Sequence, residues 1–227
     1  MFSFFRKSHE ATPQETKLLM LAGLYVFCIL LAEIFGIKTI PVGDSISFGF
    51  GPIFIRELKV SVAIFLLPLI FSINDIIIEV WGKKTAKTLY RIGLGAIVCL
   101  ALFSFFATRL PASQLFSGSE AAYDAVFSMT TRIAIASIIA FGISDLLDIL
   151  IFARMRAKIT SLGVRSNVSN ILAQFIDTTL FVYLAFYSGN HAMIWGIILP
   201  YWIFKCCMSV IVTPFVYLGV KWARGDK

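Results

Sequence analysis

Two carboxylates four residues apart, Asp75 and Glu79, stand in the stretch NDIIIEVWGKK at the end of a long apolar run, with Asn74 just before them. A second acidic pair, Asp145 and Asp148, lies in another apolar run. The ladder Asn167, Asn170, Gln174 and Asp177 lies in a third, and Lys205 sits within the last. A charged side chain at the centre of a bilayer is costly unless paired or hydrated, so each is a candidate functional group. The spacings i,i+4 and i,i+3, and the steps of three, four and three, put each set on one face of its helix. Three such stripes predict a shared, hydrated interior cavity. Carboxylates and amides there can accept hydrogen bonds from ring N–H groups and amines, while Phe and Tyr supply stacking surfaces. The mixture suits a polar small molecule better than a bare ion, whose channel would need a filter sequence or a ring of repeated charges.

Enzymatic chemistry finds little support. The two histidines, His9 and His191, lie outside the apolar runs, so no HExxH, Ser–His pair or His-rich metal cluster forms. There is no Gly-x-Gly-Asp motif of the intramembrane aspartyl proteases. Neither a phosphate-binding P-loop nor a dinucleotide fingerprint is present. No enzyme activity, cofactor or metal is expected. The four cysteines sit singly or adjacent in apolar runs without a CxxC spacing, and read as free, buried thiols.

The elements that must position these groups follow from composition. Of 227 residues, 59% are hydrophobic and 15% charged, far from the balance of a soluble domain. This is the composition of an integral membrane protein. Six apolar runs, near 18–36, 60–81, 92–108, 132–153, 167–187 and 192–219, are each about long enough to cross a bilayer. The expected fold is an all-α membrane protein of six transmembrane helices. It divides into a tail over 1–16, a helical domain over 17–221 and a tail over 222–227. Residues 1–16 lack the apolar segment of a signal peptide. The Gly- and Pro-rich connector 37–59 reads as a surface loop or a re-entrant segment. With the N-terminus in the cytoplasm, fourteen Lys and Arg fall on inner segments and five on outer ones, which places both termini inside. The net charge of +7 then meets anionic lipid rather than nucleic acid.

At about 1.5 Å per residue, Asp177 lies roughly 18 Å beyond Arg165 and Lys205 roughly 24 Å before Lys221, levels within about a turn of each other. An Asp177–Lys205 ion pair follows as a structural expectation. It leaves four other acids without a buried cation, which a substrate would match. The segments SDLLDILIF (144–152) and AQFIDTTLF (173–181) share a pattern. On oppositely directed helices they would face each other as inverted partners.

The segments PLIFSINDIIIEVWGKKTA (68–86), RIAIASIIAFGISDLLDILIF (132–152), RSNVSNILAQFIDTTLFVYLAF (165–186) and the late Lys205 with TPFVY (213–217) together resemble the queuosine precursor transporter family. The resemblance covers about residues 20 to 220. Asn74 stands where that pattern has Thr, Asp145 where it has Gln, and Trp81 where it has Tyr. Ser166 and Asn170 also depart from it. The resemblance implies a six-helix transporter in the bacterial inner membrane that imports 7-deazaguanine bases. Its cavity would be formed by the second, fourth, fifth and sixth spans. It further implies that Asp75, Glu79, Asp148 and Asp177 accept the N–H groups of a guanine-type edge, a bidentate contact. Arg165, Asn167 and Gln174 would meet the carbonyl and ring nitrogens. Bland roles stay open: Arg165 as an interfacial anchor, Glu79 paired with Lys83, Asn167 as a helix cap. Homo-oligomerisation also stays open. The other functional reading is the substrate-binding subunit of an ATPase-driven vitamin importer, with Ala136 and Ala140 facing a partner helix. An acid at position 145 would favour a cationic aminomethyl base over a neutral cyano one. Competition uptake with Asp145→Gln is therefore expected to shift preference toward the neutral form, and an unchanged ratio would refute this.

Overall fold

The computed structural model describes residues 12–43, 48–50, 53–55, 58–156, 162–189, 191–211 and 213–225. The first helix, α1 (Pro13–Phe35), starts in what the sequence assigns to the tail. The reason is local. Thr12 accepts from the Glu15 amide at 3.2 Å, and Glu15 Oε2 accepts from the Thr12 amide at 2.8 Å. This reciprocal box, with Pro13 in the first turn, satisfies amides that would otherwise be orphaned.

The described residues of the connector after α1 include four short strands. Strand β1 (Thr39–Gly43) pairs antiparallel with β4 (Leu58–Ser61), and β2 (Phe48–Phe50) with β3 (Ile53–Ile55). Val60 and Ile64 pack on Tyr201. Ser61 joins β4 to the bundle. Its buried hydroxyl donates to the Gly36 carbonyl at 2.7 Å and accepts from the Ala63 amide at 3.2 Å, starting a 3-10 turn at Val62–Phe65.

Helix α2 (Leu67–Ala107) merges the second and third apolar runs. Unbroken, its 41 residues would reach about 60 Å, twice the hydrocarbon thickness. It is not unbroken. Gly82 has φ 84° and ψ 166°, a conformation essentially reserved for glycine. Residues on both sides, Ile73 and Ile77 before it and Ala86 and Leu89 after, share one buried cluster with Leu21, Tyr25 and Ala223. The chain therefore doubles back at Gly82 into two limbs, 67–81 and 83–107.

Helix α3 (Glu120–Arg156) contains the fourth run and α4 (Leu162–Phe186) the fifth. The sixth run divides into α5 (His191–Ile211) and α6 (Thr213–Arg224). Helix α6 is amphipathic. Val216, Val220 and Ala223 pack on α1 and α2, Gly219 lies against Ile76, and Phe215, Tyr217 and Leu218 face outward. Lys17 at the start of α1 donates to the Trp222 carbonyl at 2.7 Å, capping the end of α6.

Three helices, α1, α2 and the 120–144 part of α3, are long and apolar enough to cross a membrane, with shorter apolar stretches at 171–186 and 193–208. Outward residues such as Phe103, 70% exposed, are lipid-facing. Lipid is as apolar as a helix surface, so close packing and interhelical hydrogen bonds must hold the bundle. Small buried residues provide the first. Ala136 packs with Ala185, and Ala134 with Ala101. Ala136 and Ala140 are thus buried within this chain rather than on a face for a partner helix. Arg132 provides the second. Its guanidinium donates to the Leu184 and Tyr187 carbonyls, both at 2.9 Å, where α4 ends. The four cysteines form no disulfide with one another, and of the four only Cys28 is buried; Cys99 and Cys207 are exposed.

Gly82→Ala is expected to cost about 1–3 kcal/mol, because open space surrounds the position and the strain lies in the backbone alone. Gly95→Ala, in the second limb and equally open, should cost nothing. Thermal unfolding in detergent checks this; equal shifts for the two would show that the turn does not depend on Gly82.

Candidate functional site

The bundle encloses a cavity of about 450 Å³, within the range of small-molecule sites. It is reached from α1, the Ser61 joint, both limbs of α2, α3, α4 and α5. Helical spacing accounts for who is there. On α4, Gln174 and Asp177 follow Ala173 and precede Phe181 on one face. On α3, Ile133, Ser137, Phe141 and Ser144 step by four, four and three. On α2, Ile70 and Asn74 of the first limb stand opposite Tyr90, Leu94 and Ile97 of the second.

The central contact is an ion pair. Lys205 Nζ on α5 donates to Asp177 Oδ2 on α4 at 2.9 Å. The two side chains are 11% and 26% exposed. Nearby, the Lys205 ammonium lies 5.7 Å from the Tyr201 ring centroid, a cation–π distance. The Cys206 thiol donates weakly to Gln174 Oε1 at 3.8 Å, and the Trp202 indole donates to the Ile171 carbonyl at 3.4 Å. These contacts fix α4 against α5 at the level of the pair. The rings of Tyr90 and Phe141 meet at 4.0 Å between centroids, tilted by 34°, and join the wall from the second limb of α2 and from α3.

Of the residues singled out from the sequence, Asn74, Gln174, Asp177 and Lys205 line the cavity. Asp75 and Glu79 do not. They share one face of α2, as their spacing requires, but it is an exposed face, turned about 100° from Asn74. Glu79 Oε1 accepts from Arg224 at 3.0 Å, so its partner comes from α6 and not from Lys83. The side chains of Asp145, Asp148, Arg165, Asn167 and Asn170 lie outside the described residues.

Sequence reasoning left out α1 and the second limb of α2. From α1 come Tyr25 and Glu33, and from elsewhere Ser61, Tyr90, Ser137 and Tyr201. Glu33 carried a signal, being an acid near the end of an apolar run. Among the described residues, no group of His, Cys, Asp and Glu could hold a metal ion.

The cavity, its wall mainly apolar but carrying Glu33, Asp177 and Lys205, lies among apolar helices, three of them long and apolar enough to cross a membrane. The chain matches the family model described as "Putative vitamin uptake transporter" over residues 61–219. It belongs to that family, a family of membrane transporters rather than enzymes. It is 27% identical over 164 residues to a Bacillus subtilis protein named "Probable queuosine precursor transporter", covering 70% of each chain. It is 25% identical over 157 residues to the Escherichia coli "Queuosine precursor transporter", covering 68% of this chain and 67% of that one. A Haemophilus influenzae protein named "Probable queuosine precursor transporter" is 29% identical over 128 residues, half of its length. No solved structure matches the chain.

Removing one member of a buried ion pair strands the other charge. Asp177→Asn and Lys205→Met are each expected to cost about 3–5 kcal/mol, and the double variant much less than their sum. Thermal unfolding of the four proteins in detergent gives the coupling; strictly additive losses would mean that the two charges do not interact.

Proposed function

We propose that this chain imports 7-deazaguanine precursors of the tRNA base queuosine across a bacterial inner membrane, holding the base in the cavity between α1 and α5. The observation that carries this reading is one cavity in an apolar bundle that combines acceptors, donors and aromatic faces. Such a base is planar, with N–H donors on one edge and a carbonyl beside them. Tyr90 and Phe141 offer it a stacking wall. The amides of Asn74 and Gln174 each donate and accept, and Lys205 retains N–H donors beyond the one given to Asp177. The names of the relatives from three bacteria support this substrate class.

We read the six spans as α1, the two limbs of α2, α3, α4 and α5, with α6 lying along the interface. Its inward apolar residues, outward Phe215 and Tyr217, and terminal Lys221 and Arg224 support that placement. Contact between Lys17 and Trp222 brings the start of α1 and the end of α6 together. The excess of Lys and Arg assigns both to the cytoplasm. The reading as a subunit of an ATPase-driven importer has less support, because the small residues offered as its docking face are buried inside this chain.

The test is restoration of queuosine in tRNA in a host that lacks both queuosine synthesis and precursor import, supplied with low 7-deazaguanine precursor. The chain is expected to restore it. Asn74→Ala and Gln174→Ala should each reduce uptake about tenfold or more, the loss of one or two hydrogen bonds to substrate. Asp75→Ala, on the face turned away, should not. A well-inserted wild-type protein that restores nothing would overturn the proposal, and a loss confined to Asp75→Ala would move the path out of the cavity.

A further inference from the structure

The cavity contains an acid that the ion pair does not explain. Glu33 lies near the end of α1, lines the cavity and is 7% exposed. Its Oε2 is buried and has no hydrogen-bond partner among the described residues. Asp177, the other described acid in the cavity, is matched by Lys205; among the described residues Glu33 forms no ion pair. A buried carboxylate oxygen without a donor is unfavourable, so the site gains on receiving suitable donors.

The surroundings narrow what those donors are. The Ser137 hydroxyl is hydrogen-bonded to the Glu33 carboxylate, and Tyr201 lines the same cavity as Glu33 and Asp177. One carboxylate and two hydroxyls fall short of the six or more oxygens of a calcium cage. They leave Glu33 Oε2, on the cavity wall, without a donor among the described residues. Phe141 lies four residues after Ser137 on the same face of α3, and Phe141 stacks with Tyr90.

We propose that Glu33 is the residue that reads the donor edge of the substrate, accepting a ring N–H and an exocyclic amine in one bidentate, charge-assisted contact. This rests on the transporter reading above and sharpens it. Glu33 selects bases with an adjacent N–H and amine, whatever substituent the five-membered ring carries. Asp177, occupied by Lys205, serves the structure of the site and not this edge.

The test is binding to the purified full chain in detergent, with 7-deazaguanine and 7-deazahypoxanthine as probes; they differ only in the exocyclic amine. Wild type is expected to favour 7-deazaguanine by about tenfold or more, the effect of one charge-assisted hydrogen bond. Glu33→Gln should weaken both probes, because both keep the ring N–H, and 7-deazaguanine by about tenfold more, so that the preference collapses. Should that variant fail to fold, Glu33→Asp decides: weaker binding with the preference retained is expected, and unchanged affinity for both probes would overturn the assignment. Wild-type preference surviving in a folded Glu33→Gln protein would also overturn it, while the transporter reading stands. A wild-type protein that binds neither probe removes both.

Discussion

Two opposite charges, Asp177 and Lys205, meet at 2.9 Å in the interior of a bundle whose outer surface is made for lipid. Neither charge is tolerable there alone, and the pair is tolerable only where both groups also keep polar company. That requirement organises the site. It ties α4 to α5 at a fixed level and brings Tyr201 beneath the ammonium. It also keeps Asp177 partly open to the cavity. A fully dry pair would have to recover its whole desolvation from Coulomb attraction; a pair on a polar cavity wall shares that cost with whatever fills the cavity.

The rest of the architecture makes room for the pair. Lipid gives helices no hydrophobic reason to associate, so contact rests on shape and on the few interhelical hydrogen bonds. Ala134, Ala136 and Ala185 let backbones approach where the walls must be tight. Arg132 closes the end of α4 and Lys17 the end of α6, each satisfying carbonyls that the helix cannot. Gly82 then folds one long apolar stretch into two limbs, so that Asn74 and Tyr90, sixteen residues apart in sequence, border the same space.

Much of this was legible in the sequence, and the failures have physical reasons. Run lengths revealed the membrane class, and counting residues along helices brought Asp177 and Lys205 to one level before any contact was known. The same counting put Asp75 and Glu79 on one face, correctly, but periodicity does not say which face looks inward. Asn74, one position earlier, points to the cavity, and Arg224 across the fold takes Glu79. The Thr12–Glu15 box was present in TPQE but lay in a segment read as a tail. The strands were hidden because Gly and Pro in 37–59 signal turns without disclosing what they connect. The reversal at Gly82 was legible only as a glycine followed by two lysines.

A carrier must release what it binds, and this cavity is built with soft places beside its strongest contact. Pro200 lies inside α5, where a proline cannot donate to the carbonyl four residues earlier. It immediately precedes Tyr201 and stands five positions before Lys205. A helix weakened there can tilt the segment bearing both residues relative to α4 without breaking the packing of Ile194, Ile197 and Ile198 on Val182. Gly82 gives the two limbs of α2 a comparable joint on the opposite side. Discontinuities of this kind, set where polar groups converge, are how transporters change access around a fixed site. Here the ion pair spans one such joint. Any tilt of α5 must therefore stretch or carry with it the Asp177–Lys205 contact, which couples the shape of the cavity directly to the state of its charges.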